Sequence, residues 1–449
     1  MESSLLTRDL RRSYPVVDRG EGMYLYDRDG RRYIDAVGGA MVVTIGHGVK
    51  EVVTAVAAQM ERVAYAYTGQ FVTEALLLLA ERVISMAPAG MSKVYFVSGG
   101  SEANEIAIKL ARQYFVAQGQ ESKWRVIARW QSYHGTTGIA LSATGRRPAR
   151  RGYEPYLLAF PHIPPCYCYR CPFDKAYPDC RVACAEELER VIRLEGPETI
   201  AAFIAEPIVG TSAAALTPPP EYFQRIRAIC DRYNILFIAD EVVTGFGRTG
   251  TNFAIEQFGV TPDMITMAKG VSSGYAPLGG VIIHERIVQG FLKSGASPVL
   301  PLTYAGNPMA AAAGLAVLDY ITANRLLERV REIGPYFFDR LRTLETLPWV
   351  GEVRGRGLMA GVELVQDRPS KATFPEQWRV APRVVEEAMR RGLIILPGQP
   401  GMVDGVAGDH LMLTPPYIVK EGEIDEIVAI LRAAIETVVT ELEAAKRAG

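Results

Sequence analysis

Two residues able to do covalent and electrostatic chemistry stand at matching places in the chain. Lys269 closes the run Met264-Ile-Thr-Met-Ala-Lys-Gly270, and Asp240 closes Asn234-Ile-Leu-Phe-Ile-Ala-Asp240. Each follows a short apolar stretch bounded by turn residues, the pattern of a buried strand in an α/β sheet. Each therefore falls at a strand's carboxyl end, the edge of an open parallel sheet where ligands bind. An amine there can form a Schiff base with an aldehyde. An acid there can keep a ring nitrogen protonated, so that the ring draws electrons. Pyridoxal 5'-phosphate needs both. Taken singly, a lysine before glycine reads as a solvated turn and a strand-end aspartate as a helix cap.

Other strand ends carry compatible groups. Lys93–Ser98 reads as a strand leading through Gly99, Gly100 and Ser101 into the helix EANEIAIKLARQYF. Free amides at such a helix start, with the dipole behind them, make an anion site. Gly100 lets the backbone approach and Ser101 adds a hydroxyl. The strand Arg125–Arg129 leads to Tyr133, His134 and Gly135, and Thr199–Ala205 leads to Glu206. Val242, two residues past Asp240, is expected on the same face by strand alternation.

The flanks of these residues, DEVVTGFGRTG, FAIEQFGVTPDMITMAKGVSSGYAPLGG, SGGSEANEIAIKLAR and SYHGTTGIALSATG, resemble those of class III aminotransferases, the fold-type-I enzymes dependent on pyridoxal phosphate. The resemblance runs from about Tyr24 to Leu431. It implies that Lys269 carries the cofactor and moves the substrate proton, and that Asp240 faces the ring nitrogen. It further implies that Gly100 and Ser101 hold the phosphate, that Tyr133 stacks on the ring, and that Val242 packs on the opposite face. By the same likeness Thr303, in PLTYAGNP, reaches the cofactor phosphate of the other subunit, which requires at least a homodimer. Met41, Tyr65 and Tyr67 are implied as pocket walls and Glu206 as a substrate neighbour. For these four, ordinary core packing or a structural salt bridge is the alternative. The implied fold is α/β: a mostly parallel sheet covered by helices, with a smaller α+β domain. The expected division is 1–70 packing with the small domain, 71–323 as the large domain, and 324–449 as the C-terminal small domain.

Composition sets bounds on partners. The chain has 449 residues, 49% hydrophobic and 22% charged, with a formal net charge of -1. That balance is of a globular protein and argues against nucleic-acid or anionic-membrane partners, which favour a basic surface. No apolar run reaches the ~18 residues of a membrane span. The opening MESSLLTRDLRRSYPVV shows no secretory apolar segment, so a cytoplasmic location is the expectation. Within the insertion 162–184 lie Cys166, Cys168, Cys171, Cys180 and Cys184. Reduced thiols are the expectation there, with a zinc knuckle or disulfides as alternatives.

Substrate choice is read from an absence. Amino-acid-specific members of the resembled family carry an arginine three residues before a tandem proline, to grip an α-carboxylate. Met412 stands in that place before Pro415-Pro416. Amine-type members often place one slightly upstream, but Gly401–Gly408, with Gly405 within it, holds none. A carboxylate would then need Arg151 or an arginine of the N-terminal segment. The expected activity is transfer from a primary amine or ω-amino acid to a 2-oxo acid such as pyruvate. The alternatives are an aminomutase, decarboxylase or racemase, a 4-aminobutyrate, ornithine or diaminopelargonate type, or a binding protein without cofactor.

Overall fold

The computed structural model describes residues 4–398 and 401–448. Among the described residues fifteen strands run in chain order. They begin with β1 (Val17–Glu21), β2 (Tyr24–Asp27), β3 (Arg32–Asp35), β4 (Met91–Val97) and β5 (Arg125–Arg129). Next come β6 (His162–Ile163), β7 (Ile200–Ala205), β8 (Leu236–Asp240), β9 (Met264–Met267) and β10 (Gly279–His284). The last are β11 (Val350–Arg356), β12 (Met359–Leu364), β13 (Leu393–Ile394), β14 (Leu396–Pro397) and β15 (Asp409–Leu413).

The central sheet has the order β4-β10-β9-β8-β7-β5-β6. From β9 to β6 every pairing is parallel, whereas β10 runs antiparallel to both β4 and β9. Strands β7, β8 and β9 are buried along their whole length. Helices cover both faces, so uninterrupted apolar runs such as Ile200-Ala-Ala-Phe-Ile-Ala205 are what the sheet requires. The helix Gly100–Ala117 shows how the cover is built. Ala103, Ile106, Ala107, Leu110 and Ala111 recur at helical spacing, and all are buried.

Two smaller sheets complete the fold. One has the order β1-β2-β3-β13, so the hairpin around Asp29-Gly30 is extended by a late strand parallel to β3. The other, β11-β12-β15-β14, is antiparallel. Element bounds follow the sequence reading closely, with one informative difference. The sequence from Phe71 to Ala87, ended by Pro88, reads as a helix, but the helix begins at Glu74, because Thr73 is extended (φ -103°, ψ 154°) and its carbonyl takes the Leu76 and Leu77 amides. Among the described residues no helix is long and apolar enough to cross a membrane.

Candidate active site

Because β5, β7, β8 and β9 are parallel, the segments that follow them emerge at one edge of the sheet. β4 points the same way, since two antiparallel pairings through β10 restore its direction relative to β9. A cavity of about 200 Å³ opens at this edge. Lys269, Asp240, Gly100, Ser101, Tyr133, Val242, Glu206 and Met41 all line it.

Asp240 is held on all sides. Its Oδ2 accepts from Asn104 Nδ2 at 2.8 Å and faces His134 Nδ1 at 2.7 Å. Its Oδ1 takes the Val242 amide at 3.1 Å. Asn104 is fixed in turn by Thr266 Oγ1 and by the His134 carbonyl, each at 2.7 Å. Asn104 and Thr266 were missed by sequence reading. The signal available was weak: a polar residue on the apolar stripe of one helix, and another inside a buried strand.

Lys269 sits at a backbone φ of 45°, directly after β9. Burial lowers its amine to about 8. The nearby Arg248 adds to the drop, while Asp240 and Glu206 oppose it. The amine is therefore poised to lose its proton close to neutral pH. Val242 reaches the cavity from a turn and not by alternation along β8, which stops at Asp240. A side chain at position 100 would meet Val242 Cγ1 at 2.8 Å, so glycine there allows the helix start to approach. No side chain caps that start, and Ser101 Oγ takes the Thr136 amide at 3.2 Å.

A pyridoxal phosphate group fits this donor set. The uncapped helix start at Gly100 and Ser101 would hold the phosphate, the anchored Asp240 carboxylate would face the ring nitrogen, and the Lys269 amine would take the aldehyde. When bound, the cofactor supplies an electron sink for breaking the bond to a substrate α-proton.

Glu206 departs from the structural salt bridge considered for it. Its Oε1 accepts the Tyr133 amide at 3.3 Å, Oε2 is buried without a partner, and Arg129 donates only to its backbone carbonyl. Burial pushes this carboxyl up to about 7 from 4.5. The folded chain then binds a proton between those values that the unfolded chain has released. Ionisation in the fold is accordingly a burden that grows as pH rises through this window and is complete above it. Glu206→Gln is expected to unfold at higher temperature than the parent at pH 8, by on the order of 1–3 kcal/mol. Calorimetry should show the gap closing below about pH 4.5. A variant less stable than its parent at pH 8 would contradict this.

Three expected residues lie apart from the cavity of their own chain. Tyr65 and Tyr67 are 42% and 45% exposed. Tyr65 Oη donates to the Thr303 carbonyl at 2.8 Å, and its ring stands edge-on to Tyr304. Thr303 itself is exposed. Arg151 is exposed as well, away from the lining. The clustered cysteines are unbonded, with Cys184 Sγ 3.4 Å from Cys166 Sγ. Among the described residues no three His, Cys, Asp or Glu side chains are grouped as a metal ion would need.

A family model described as Aminotransferase class-III matches residues 7–435. The chain belongs to the class III aminotransferases. As such it is a pyridoxal-phosphate-dependent enzyme. This aminotransferase is 39% identical to a taurine–pyruvate aminotransferase of Bilophila wadsworthia, over 94% of the chain and 92% of that protein. It is 35% identical to a putrescine–pyruvate aminotransferase of Pseudomonas aeruginosa, over 94% and 90%. Among solved structures it resembles a thermostable (S)-enantioselective omega-transaminase from Thermomicrobium roseum, with a TM-score of 0.90 and 38% identity over 97% and 96% of the chains. The fold expected from sequence, a mostly parallel α/β sheet of fold type I, is the fold of this aminotransferase.

Proposed function

We propose that the enzyme moves an amino group from a primary amine or ω-amino compound to a 2-oxo acid, with pyruvate as acceptor, in two alternating half-reactions. One observation carries this reading. Met412, where amino-acid-type relatives have an arginine, is fully buried in an apolar cluster with Val37, Met41 and Met359. A carboxylate on the reacting carbon would meet methyl and thioether groups there, at a desolvation cost with no charge to offset it. The lining offers Lys269 as its single cation, and that amine is committed to proton transfer. The pyruvate named in two relatives' activities supports the acceptor.

Within this reading Lys269 takes the proton from the donor's α-carbon and returns it to the cofactor-side carbon. Asp240 holds a negative charge against the ring nitrogen, and Tyr133 and Val242 confine the ring. We assign Thr303 to the cofactor phosphate of a partner subunit, so that the working unit is a homodimer. Its exposure, outside the cavity of its own chain, is what such a role requires. We also read 71–323 as the large domain, with 1–70 joining 324–449 as the small one. The parallel pairing of β3 with β13 supports that division.

The test is a donor panel (1-phenylethylamine, putrescine, taurine, β-alanine, 4-aminobutyrate, ornithine) against pyruvate and 2-oxoglutarate. Alanine formed one-for-one from pyruvate with carboxylate-free donors is expected. Activity confined to α-amino acids with 2-oxoglutarate would refute the reading. Loss of the donor's amine, or its isomerisation, without alanine would point to another reaction on the same cofactor.

A further inference from the structure

A 2-oxo acid presents a carboxylate beside its reacting carbonyl, and a partly enclosed carboxylate needs a cation. The arginines nearest the cavity are mostly engaged elsewhere. Arg129 donates to the Glu206 carbonyl, and Arg150 to the Ser142 and Thr144 carbonyls at 2.9 Å each. Arg248 donates to Leu358 and Pro415 carbonyls, and Arg354 to Glu363 and the Ala213 and Ala214 carbonyls. Each of these spends its guanidinium on holding the fold.

Arg146 differs. It is partly buried, its Nε is enclosed without a partner, and it makes no side-chain hydrogen bond or ion pair with any described residue. Its guanidinium carbon lies 5.7 Å from the centre of the Tyr133 ring, a cavity wall. It is also within electrostatic reach of His410, whose Nε2 meets the carbonyl of Thr211, another wall, at 3.0 Å. Burial lowers Arg146 to about 10, and Arg8 of the N-terminal segment adds a second positive charge to the same region. An anion arriving there would offset both the burial of the guanidinium and its repulsion by Arg8. The opposite loop leaves room for this turn: a Cβ built on Gly405 would come within 3.9 Å of Arg147 Cδ.

We propose that Arg146, resting on Tyr133, is the residue that binds the carboxylate of the 2-oxo acid acceptor. The assignment rests on the amine-to-2-oxo-acid reading above. It explains how a pocket whose wall residue Met41 is backed by the buried Met412 handles both substrates: the carboxylate-free donor uses the apolar side, and the acceptor reaches outward to a guanidinium. Planar guanidinium matches carboxylate geometry with two parallel N–H···O bonds, and Arg146 has all its donors free to make them.

The test uses the holoenzyme and a neutral donor, 1-phenylethylamine, and compares pyruvate with propanal as acceptors in parent, Arg146→Gln and Arg146→Lys. Losing a charge-assisted pair costs about 10- to 100-fold. Arg146→Gln should therefore raise the KM for pyruvate by about 10- to 100-fold while leaving kcat/KM for propanal and the donor half-reaction within about twofold. Arg146→Lys should recover part of the loss. Because the two acceptors are compared within one variant, a folding defect lowers both and cannot mimic the result. An equal fall for pyruvate and propanal, or no change for either, would overturn the assignment while leaving the functional reading intact. A parent enzyme inactive with every 2-oxo acid would instead overturn the reading on which the assignment stands.

Discussion

Lys269→Ala is expected to fold and to be catalytically dead, with turnover lower by at least about 10⁴-fold. The amine is asked to do two things that no neighbour can take over. In the proposed reaction it would bond the cofactor aldehyde and carry a proton between two carbons. The other titratable groups of the wall, Glu206, Asp240, His134 and Tyr133, offer no amine for the first task. Asp240 and His134 are fixed to one another at 2.7 Å. The lowered value of about 8 for Lys269 matters because only a neutral amine attacks an aldehyde. At pH 8 about half the lysine is neutral, against roughly 0.4% for an unperturbed side chain near 10.4. Reconstitution of the cofactor-free chain with pyridoxal phosphate should accordingly speed up through about pH 8 and then level off. Borohydride treatment of the holoenzyme should fix the cofactor on the peptide containing Lys269 in the parent and on no peptide in the variant. Substantial turnover by Lys269→Ala, or labelling at another lysine, would remove the central role assigned to this residue.

Asp240→Asn is the second large effect, a loss in kcat of about 10² to 10⁴-fold. The substitution is nearly isosteric and keeps an oxygen for the Val242 amide, so the change is one of charge. In the parent the carboxylate is held by Asn104, His134 and the Val242 amide. These partners fix its direction and let it favour a protonated ring nitrogen without reorganising during the reaction. A neutral amide loses that pull and must also turn an NH₂ group or an oxygen toward Asn104. The slowed event is removal of the α-proton, so the primary isotope effect with an α-deuterated donor should rise in the variant. The variant should still bind cofactor. A kcat close to the parent's, or a loss that vanishes at saturating pyridoxal phosphate, would show that the carboxylate only helps retain the cofactor.

Much of this site was legible from the chain alone. A short apolar run that ends in a charge, between turn residues, is weak evidence alone but points to one sheet edge when it recurs, and Asp240, Lys269 and Glu206 each stand at such an end. Gly100 was legible for a related reason: a glycine between a strand and a helix marks a close backbone approach, and Val242 is what approaches. The antiparallel strand β10 was not legible in direction. Its run Gly-Gly-Val-Ile-Ile-His is buried on both faces, and burial alone does not distinguish a parallel from an antiparallel neighbour. Tyr65 and Tyr67 were drawn toward the pocket by likeness; in this chain both are exposed, and Tyr65 donates to the Thr303 carbonyl.

Local pattern thus determined which segments become strands and helices, where each strand stops, and which polar side chains are delivered to the stopping points. It did so because burial periodicity and turn chemistry act over a few residues. Strand order, set by packing between segments far apart in the chain, decided the rest. It brought Asn104 and Thr266 to Asp240 from two different elements. It buried Glu206 without a counter-ion, and it placed the guanidinium of Arg146, unpaired among the described residues, over the ring of Tyr133.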